Sequence, residues 1–186
     1  MRTFKKLGVL AAAVFALSAI GAANASATQF TASATGSLSG KATANQVFST
    51  NGGEIKCTTA ATSGTIKSTA YSEQTVEVKY SGCTAFGFAT VHISPAQYNF
   101  TASGQVHIEN TITITVTGGG CSQTVGPQTV TSVSYATIGS KVTLTPHTTG
   151  ITYTSTGGIC GSSGSNGTLT GTSEWERVGG GSLSYF

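Results

Sequence analysis

Thr111-Ile112-Thr113-Ile114-Thr115-Val116-Thr117-Gly118-Gly119-Gly120-Cys121 decides the fold class. Isoleucine and valine alternate with threonine without a break, which is the period of a strand with one buried and one wet face. Three glycines then end it, and a cysteine follows. The same cadence returns as Ile151-Thr152-Tyr153-Thr154-Ser155-Thr156-Gly157-Gly158-Ile159-Cys160, and more loosely as Thr50-Asn51-Gly52-Gly53-Glu54-Ile55-Lys56-Cys57. Val76-Glu77-Val78-Lys79-Tyr80-Ser81-Gly82-Cys83 closes a fourth phrase in the same way, so every cysteine sits just past a strand and a glycine turn.

Working outward, residues 28–178 show short alternating runs separated by Gly, Pro, Asn and Ser, and no helical i, i+3, i+4, i+7 face. Asn51-Gly52 is the strongest hairpin signal. Separate strands are expected at 37–44 and 46–50, and again at 141–145 and 151–155. Phe86 and Phe88 are expected in the core. Phe100-Thr101-Ala102-Ser103-Gly104 echoes Phe30-Thr31-Ala32-Ser33, and Tyr135-Ala136-Thr137-Ile138-Gly139 opens a third such run. The expectation is an all-β protein, an antiparallel β-sandwich built from two or three diverged β-units and stapled by disulfides. Its halves are 28–95 and 96–178, and 179–186 reads as a flexible, glycine-broken tail.

The first 27 residues read as a signal peptide. Arg2, Lys5 and Lys6 precede an apolar run from 7 to 20, and Ala25-Ser26-Ala27 is a small-residue cleavage site. The run is too short for a typical spanning helix, so no membrane span is expected after the leader is removed. The chain carries nine Lys and Arg against six acids; three of the nine lie in the leader, so nine minus three balances the six and the remainder is neutral. A neutral surface has no basic stripe for nucleic acid and leaves self-association unopposed by charge. There is no aspartate, which removes Asp-rich calcium loops and the usual orienting acid of a serine triad.

Four cysteines in an exported chain favour two disulfides. Three connectivities are open. Cys57–Cys83 and Cys121–Cys160 are preferred because each pair lies within one half, and each would stabilise by roughly 3–4 kcal/mol through loop closure. Zinc ligands normally come in pairs two to four residues apart, and every gap here exceeds twenty.

The candidate chemistry is sparse. His92, His107 and His147 fall on separate strands or strand ends, without ligand spacing. Glu174 and Glu176 flank Trp175 on one strand; a glycosidase pair would need a cleft around them. The threonine rows 111/113/115 and 152/154/156 are the default wet face of a strand, and their irregular spacing does not predict a stacked hydroxyl array. No Gly-x-Ser-x-Gly elbow or phosphate-binding glycine loop occurs. Trp175, Tyr153 and Tyr98 are the possible ligand aromatics, although a lone tryptophan is more often core. No cofactor and no catalytic residue is expected.

Tyr80-Ser81-Gly82-Cys83-Thr84-Ala85-Phe86-Gly87-Phe88-Ala89-Thr90-Val91 resembles a group of secreted, uncharacterised proteins of soil actinobacteria. Val125-Gly126-Pro127-Gln128 and Thr149-Gly150-Ile151-Thr152-Tyr153-Thr154 are similar too, so the likeness runs over nearly the whole chain. It implies no known activity. Members often carry two further cysteines where this chain has Ser94-Pro95-Ala96-Gln97 and Val106-His107-Ile108. Their joint absence implies that those two pair together, which leaves Cys57–Cys83 and Cys121–Cys160. The function expected is a secreted, non-enzymatic structural or adhesive protein of the cell envelope or extracellular space. The alternatives are a β-sandwich module binding an envelope glycan or small ligand, and a self-assembling fibre subunit.

Overall fold

The structure, a computed structural model, describes residues 28–186; the leader expected at 1–27 lies outside the described residues. Every regular element except a 3₁₀ turn at Gly158–Cys160 is a strand: β1 Phe30–Ala32, β2 Gly36–Thr50, β3 Gly53–Ile66, β4 Ala70–Tyr71, β5 Glu73–Ala85, β6 Ala89–Ile93, β7 Ala96–Thr101, β8 Val106–Ile108, β9 Ile112–Val116, β10 Cys121–Val125, β11 Gln128–Val130, β12 Val133–Ile138, β13 Lys141–Thr156, β14 Gly164–Arg177 and β15 Leu183–Tyr185.

Eight of these close into a ring. Read in chain order, β2, β3, β5, β6, β9, β10, β13 and β14 each pair antiparallel with the next, and β14 pairs back onto β2. This is an up-and-down β-barrel made of four hairpins, not the expected sandwich. The physical reason lies in the long strands. Burial along β13 falls on Val142, Leu144, Pro146 and Thr148, then switches to Ile151 and Tyr153 across Gly150, whose φ is 77°. In β3 the buried set changes from Ile55 and Cys57 to Ala60 and Thr62. Its neighbour β5 changes in step, from Val76 and Val78 to Cys83 and Ala85, beside Gly82 at φ 61°. Register slips in β2 between Lys41 and Gln46 complete the belt of irregularities. Each slip lets one strand continue where alternation alone predicts two, and each adds the twist and coil that bends a sheet shut.

The barrel has two storeys. At one end all eight strands meet. Towards the other, β6, β9 and β10 have ended, and the long strands take new partners: β5 pairs with β7 along Glu73–Val78, and β13 pairs with β12 along Lys141–Pro146. β8 and β11 extend the β7 side. A small sheet, β15-β1-β4, covers this lower storey and drives Phe30 into the core. There the Phe30 ring lies edge-on to Tyr135 at 5.0 Å and 5.6 Å from Tyr185.

Residues 179–186 are therefore not a flexible tail. Gly179, Gly180 and Gly181 all have positive φ (84°, 86° and 95°) and swing the chain back. The Arg177 guanidinium fastens the turn, donating to the Gly180, Ala34 and Thr35 carbonyls. Leu183 is then buried, and the Tyr185 hydroxyl donates to the Ala102 carbonyl at 3.0 Å.

Nor do 28–95 and 96–178 stand apart. Each half supplies four consecutive staves of one ring, and both seams between halves, β6–β9 and β14–β2, are hydrogen-bonded. Cys57 is bonded to Cys83 across β3 and β5, and Cys121 to Cys160 across β10 and the end of β13. Each bridge ties the second hairpin of its half to the first. Disulfides of this kind belong to an oxidising compartment.

Candidate functional site

All four barrel hairpins turn at the same end, and three of the Gly-rich phrases met in the sequence are their tips. At the β2–β3 tip the Asn51 amide donates to the Tyr153 hydroxyl at 2.9 Å, and that hydroxyl donates to Asn166 Oδ1 at 3.2 Å. The chain from Gly157 to Gly164 folds over the mouth. Cys160 brings its carbonyl against Gly52, where a Cβ has no room, and accepts a hydrogen bond from Gln123 Nε2 at 3.1 Å. Ile159 lies over Gly119 at the β9–β10 tip. The mouth is thus plugged by backbone and by the buried Gln123 amide.

The β5–β6 tip is Phe86-Gly87-Phe88. The Phe88 amide donates to the Ala85 carbonyl at 3.2 Å, and both central residues are left-handed, Phe86 at φ 55° and Gly87 at φ 80°. A turn with two such residues normally takes Asn-Gly or Asp-Gly. Phenylalanine at the first position is an outlier that the turn itself does not ask for. Its ring rests near Gly53 of the neighbouring tip.

These aromatics are not core, as expected from the sequence, but exposed: Phe88 is 83% accessible and Phe86 40%. Ile159, on the same end, is 49% accessible. Among the residues of the four tips, 50–54, 84–89, 116–122 and 156–164, the only charged side chain is Glu54, with Lys56 two residues on. What this end presents is apolar side chain beside the outer-wall threonines Thr84, Thr90 and Thr117; the Thr50 hydroxyl is taken up by the Gln123 side chain and the Gly52 amide. Ile138, Val178 and Phe186 are also exposed, but at the opposite end, on a strand end and beside the chain terminus.

The aromatics singled out from the sequence are all buried. Trp175 sits over Gly40 with Phe100 edge-on at 5.0 Å, and Tyr153 holds the β2–β3 tip as described. The Tyr98 hydroxyl meets that of Tyr80 at 3.0 Å inside the barrel. Burial pushes the phenols of Tyr98 and Tyr80 above their ordinary value, Tyr98 well above it. Glu174 and Glu176 point away from Trp175 to the outside, where both meet Lys141 of the adjacent strand, at 3.7 and 2.9 Å. The three histidines stay apart; His107 Nδ1 lies 2.8 Å from the Thr129 hydroxyl. Among the described residues no group of three or more His, Cys, Asp or Glu could hold a metal ion.

The threonine rows stack more regularly than their spacing suggests. Thr113, Thr124 and Thr154 are neighbours in register on β9, β10 and β13, and so are Thr115, Ser122 and Thr156. They follow the curve of the barrel wall. That wall is polar outside and apolar inside, the reverse of a lipid-facing barrel.

The barrel interior keeps about 100 Å³ free between side chains such as Tyr80, Tyr98, Ile114 and Trp175. That is too little for a sugar or a drug-sized ligand. An outer depression of about 480 Å³ lies under the β4 loop, lined by Lys67, Tyr71, Glu73 and Glu77 among others. Its one aromatic, Tyr71, is stacked on Phe30 at 5.6 Å. Compared with protein-family models, with curated proteins and with solved structures, the chain matches none. Among the described residues no helix is long and apolar enough to cross a membrane.

Proposed function

We propose that this is an exported, non-enzymatic β-barrel of the cell envelope or extracellular space whose role is adhesive, and that it attaches through its hairpin-tip end. The observation that carries the reading is Phe86-Gly87-Phe88: two aromatic rings displayed on a tight turn, one of them at a position where the backbone favours Asn. Strain of this kind, kept together with exposed apolar surface, points to a contact surface rather than to packing. With about 200 Å² for a phenylalanine side chain, Phe86, Phe88 and Ile159 hold roughly 300 Å² of accessible apolar surface. At about 25 cal/mol per Å² that is ~7 kcal/mol before the cost of association.

The rest of the molecule supports attachment as the task. Two disulfides and the cross-mouth hydrogen bonds of Tyr153 and Gln123 stiffen the end that carries the rings. Tip residues so held lose little further freedom on contact. Polymerisation by strand addition is less favoured, because ring closure leaves only short edges. β4 and β11 have two and three residues, and the outer edge of β12 meets β15 through the Thr137 hydroxyl. The glycan-binding alternative loses its three aromatics to the core.

The test is adsorption to octyl-agarose beads in moderate salt. The parent chain should be retained and the Phe88→Ser variant should elute early, with near-ultraviolet dichroism unchanged. Equal retention of both would sink the reading. Hydrolysis of an ester, peptide or glycan panel, abolished by one polar substitution, would sink its non-enzymatic part.

A further inference from the structure

We infer that the surface this end attaches to is a phospholipid bilayer with uncharged, zwitterionic headgroups. The inference rests on the adhesive reading above and names its partner. Shape comes first. The exposed apolar side chains stand on separate turns, Phe86 and Phe88 on one and Ile159 on another, and none of them lines the interior cavity or the outer depression. A protein partner would have to supply matching pockets, and a specific protein interface buries about 800 Å² on each side, of which about 450 Å² is apolar. The three exposed side chains hold roughly 300 Å² of apolar surface, short of that amount. A second copy of the chain is disfavoured on the same arithmetic. A fluid layer needs no matching pockets and admits each side chain where it stands.

Polarity comes second. Part of the backbone of the turns that would enter is paired within the protein, as the Phe88 amide on Ala85 and the Asn51 amide on Tyr153 illustrate. A shallow entry, in which headgroup oxygens and water still reach the remaining amides, therefore suits them better than a deep one. Just below stand Thr84, Thr90 and Thr117 on the outer wall, at the height where phosphate and ester oxygens would lie. Further down, the polar outer wall, with Thr113, Thr115 and Lys56, stops deeper entry. This fits a depth of about 5–10 Å, that of interfacial binders.

Charge comes third. An anionic membrane is met by clusters of lysine and arginine. Here the tips carry one acid, with one lysine close by, and residues 28–186 are neutral. Binding should therefore be nearly indifferent to salt and to headgroup charge.

The experiment is co-sedimentation of the exported chain, both disulfides formed, with phosphatidylcholine vesicles and with vesicles containing phosphatidylglycerol. The expected result is saturable binding to both, equal within about twofold and unchanged between low and high salt. Phe88→Ser should lower the partition coefficient roughly tenfold, as removal of one inserted phenyl ring implies. Phe88 is so exposed that this change does not endanger the fold. Phe86→Asn, which suits the turn, should give a loss of similar size. Ile138→Ser at the opposite end should bind like the parent.

Binding only to anionic vesicles would overturn the inference, as would equal binding by parent and tip variants. Loss of binding in Ile138→Ser alone would also overturn it. A dimer in light scattering that Phe88→Ser abolishes would assign the tips to a second copy instead. Retention on octyl beads without vesicle binding would remove the lipid inference and leave the adhesive reading. Retention on neither would remove both.

Discussion

Gly40 lies on β2 directly beneath the indole of Trp175, and its backbone is not in the left-handed region, so the constraint is space alone. A Cβ there would collide with Trp175 Cδ1 and stand 2.8 Å from the Glu174 carbonyl oxygen. Gly40→Ala should therefore cost about 1–3 kcal/mol through overpacking, read as a lower urea midpoint with unchanged slope. A parent-like midpoint would mean the strand pair can part to admit a methyl group. Trp175 was a candidate ligand aromatic with the core as its commoner place, and the core is where it stands. Phe86 and Phe88 were not legible. Two aromatics in an apolar phrase default to the interior, and only the Phe-Gly pair, standing where a tight turn prefers Asn-Gly, marks them as displayed. Phe88→Ser accordingly tests two things at one residue. Stability should stay within about 0.5 kcal/mol of the parent, as for other exposed sites, while attachment is lost. A large fall in melting temperature would return the ring to the core.

Strands and their bridges decide how much of the architecture a sequence can show. The run from 111 to 117 was readable because β9 is straight and one residue per period faces the core. β13 was not, because the slip at Gly150 reverses the alternation mid-strand and imitates a break. The same slips curve the sheet, so the signal that hid the long strands also hid the closure that makes a barrel out of an expected sandwich. The disulfides act on this scale too. Cys57–Cys83 spans 26 residues and Cys121–Cys160 spans 39. Loop-closure entropy gives about 3.5 and 4 kcal/mol for the two, nearly equal. Structure breaks the tie. Cys57 and Cys83 join strands already paired on both sides of the bridge, whereas Cys160 ends the short turn that covers the mouth and feeds Gln123 its acceptor. The Cys121→Ser/Cys160→Ser chain should thus lose more stability than Cys57→Ser/Cys83→Ser. It should also expose the amides of Asn51 and Gly52 to hydrogen exchange. Equal losses, with the mouth amides still protected, would show that the turn holds without its bridge.

At the scale of the whole molecule, ring closure makes the two halves one cooperative unit, and the buried phenols make that unit sensitive to alkali. Tyr80 and Tyr98 share one hydrogen bond in the apolar interior, and burial raises both phenols, Tyr98 further because the Tyr80 oxygen faces it. Burial raises Tyr135 as well, with Tyr185 adding to it. In the unfolded chain these groups ionise near pH 10. The folded state therefore holds more phenolic protons than the unfolded state once the pH passes 10, so stability falls as pH rises. The contribution is complete below about pH 10 and is lost from there up towards the folded values, at a limiting slope of about 1.4 kcal/mol per pH unit for each phenol. Urea midpoints measured from pH 8 to 11.5 should be flat to about pH 10 and then drop steeply, in a single transition that takes both halves together. In Tyr98→Phe the plateau should sit about 1 kcal/mol lower, because the Tyr80 hydroxyl is left without its partner, and the alkaline slope should be shallower by one phenol's share. An unchanged slope would place the alkaline loss in the outer tyrosines. Two separate transitions would break the ring at β6–β9 or β14–β2 and make the halves domains after all.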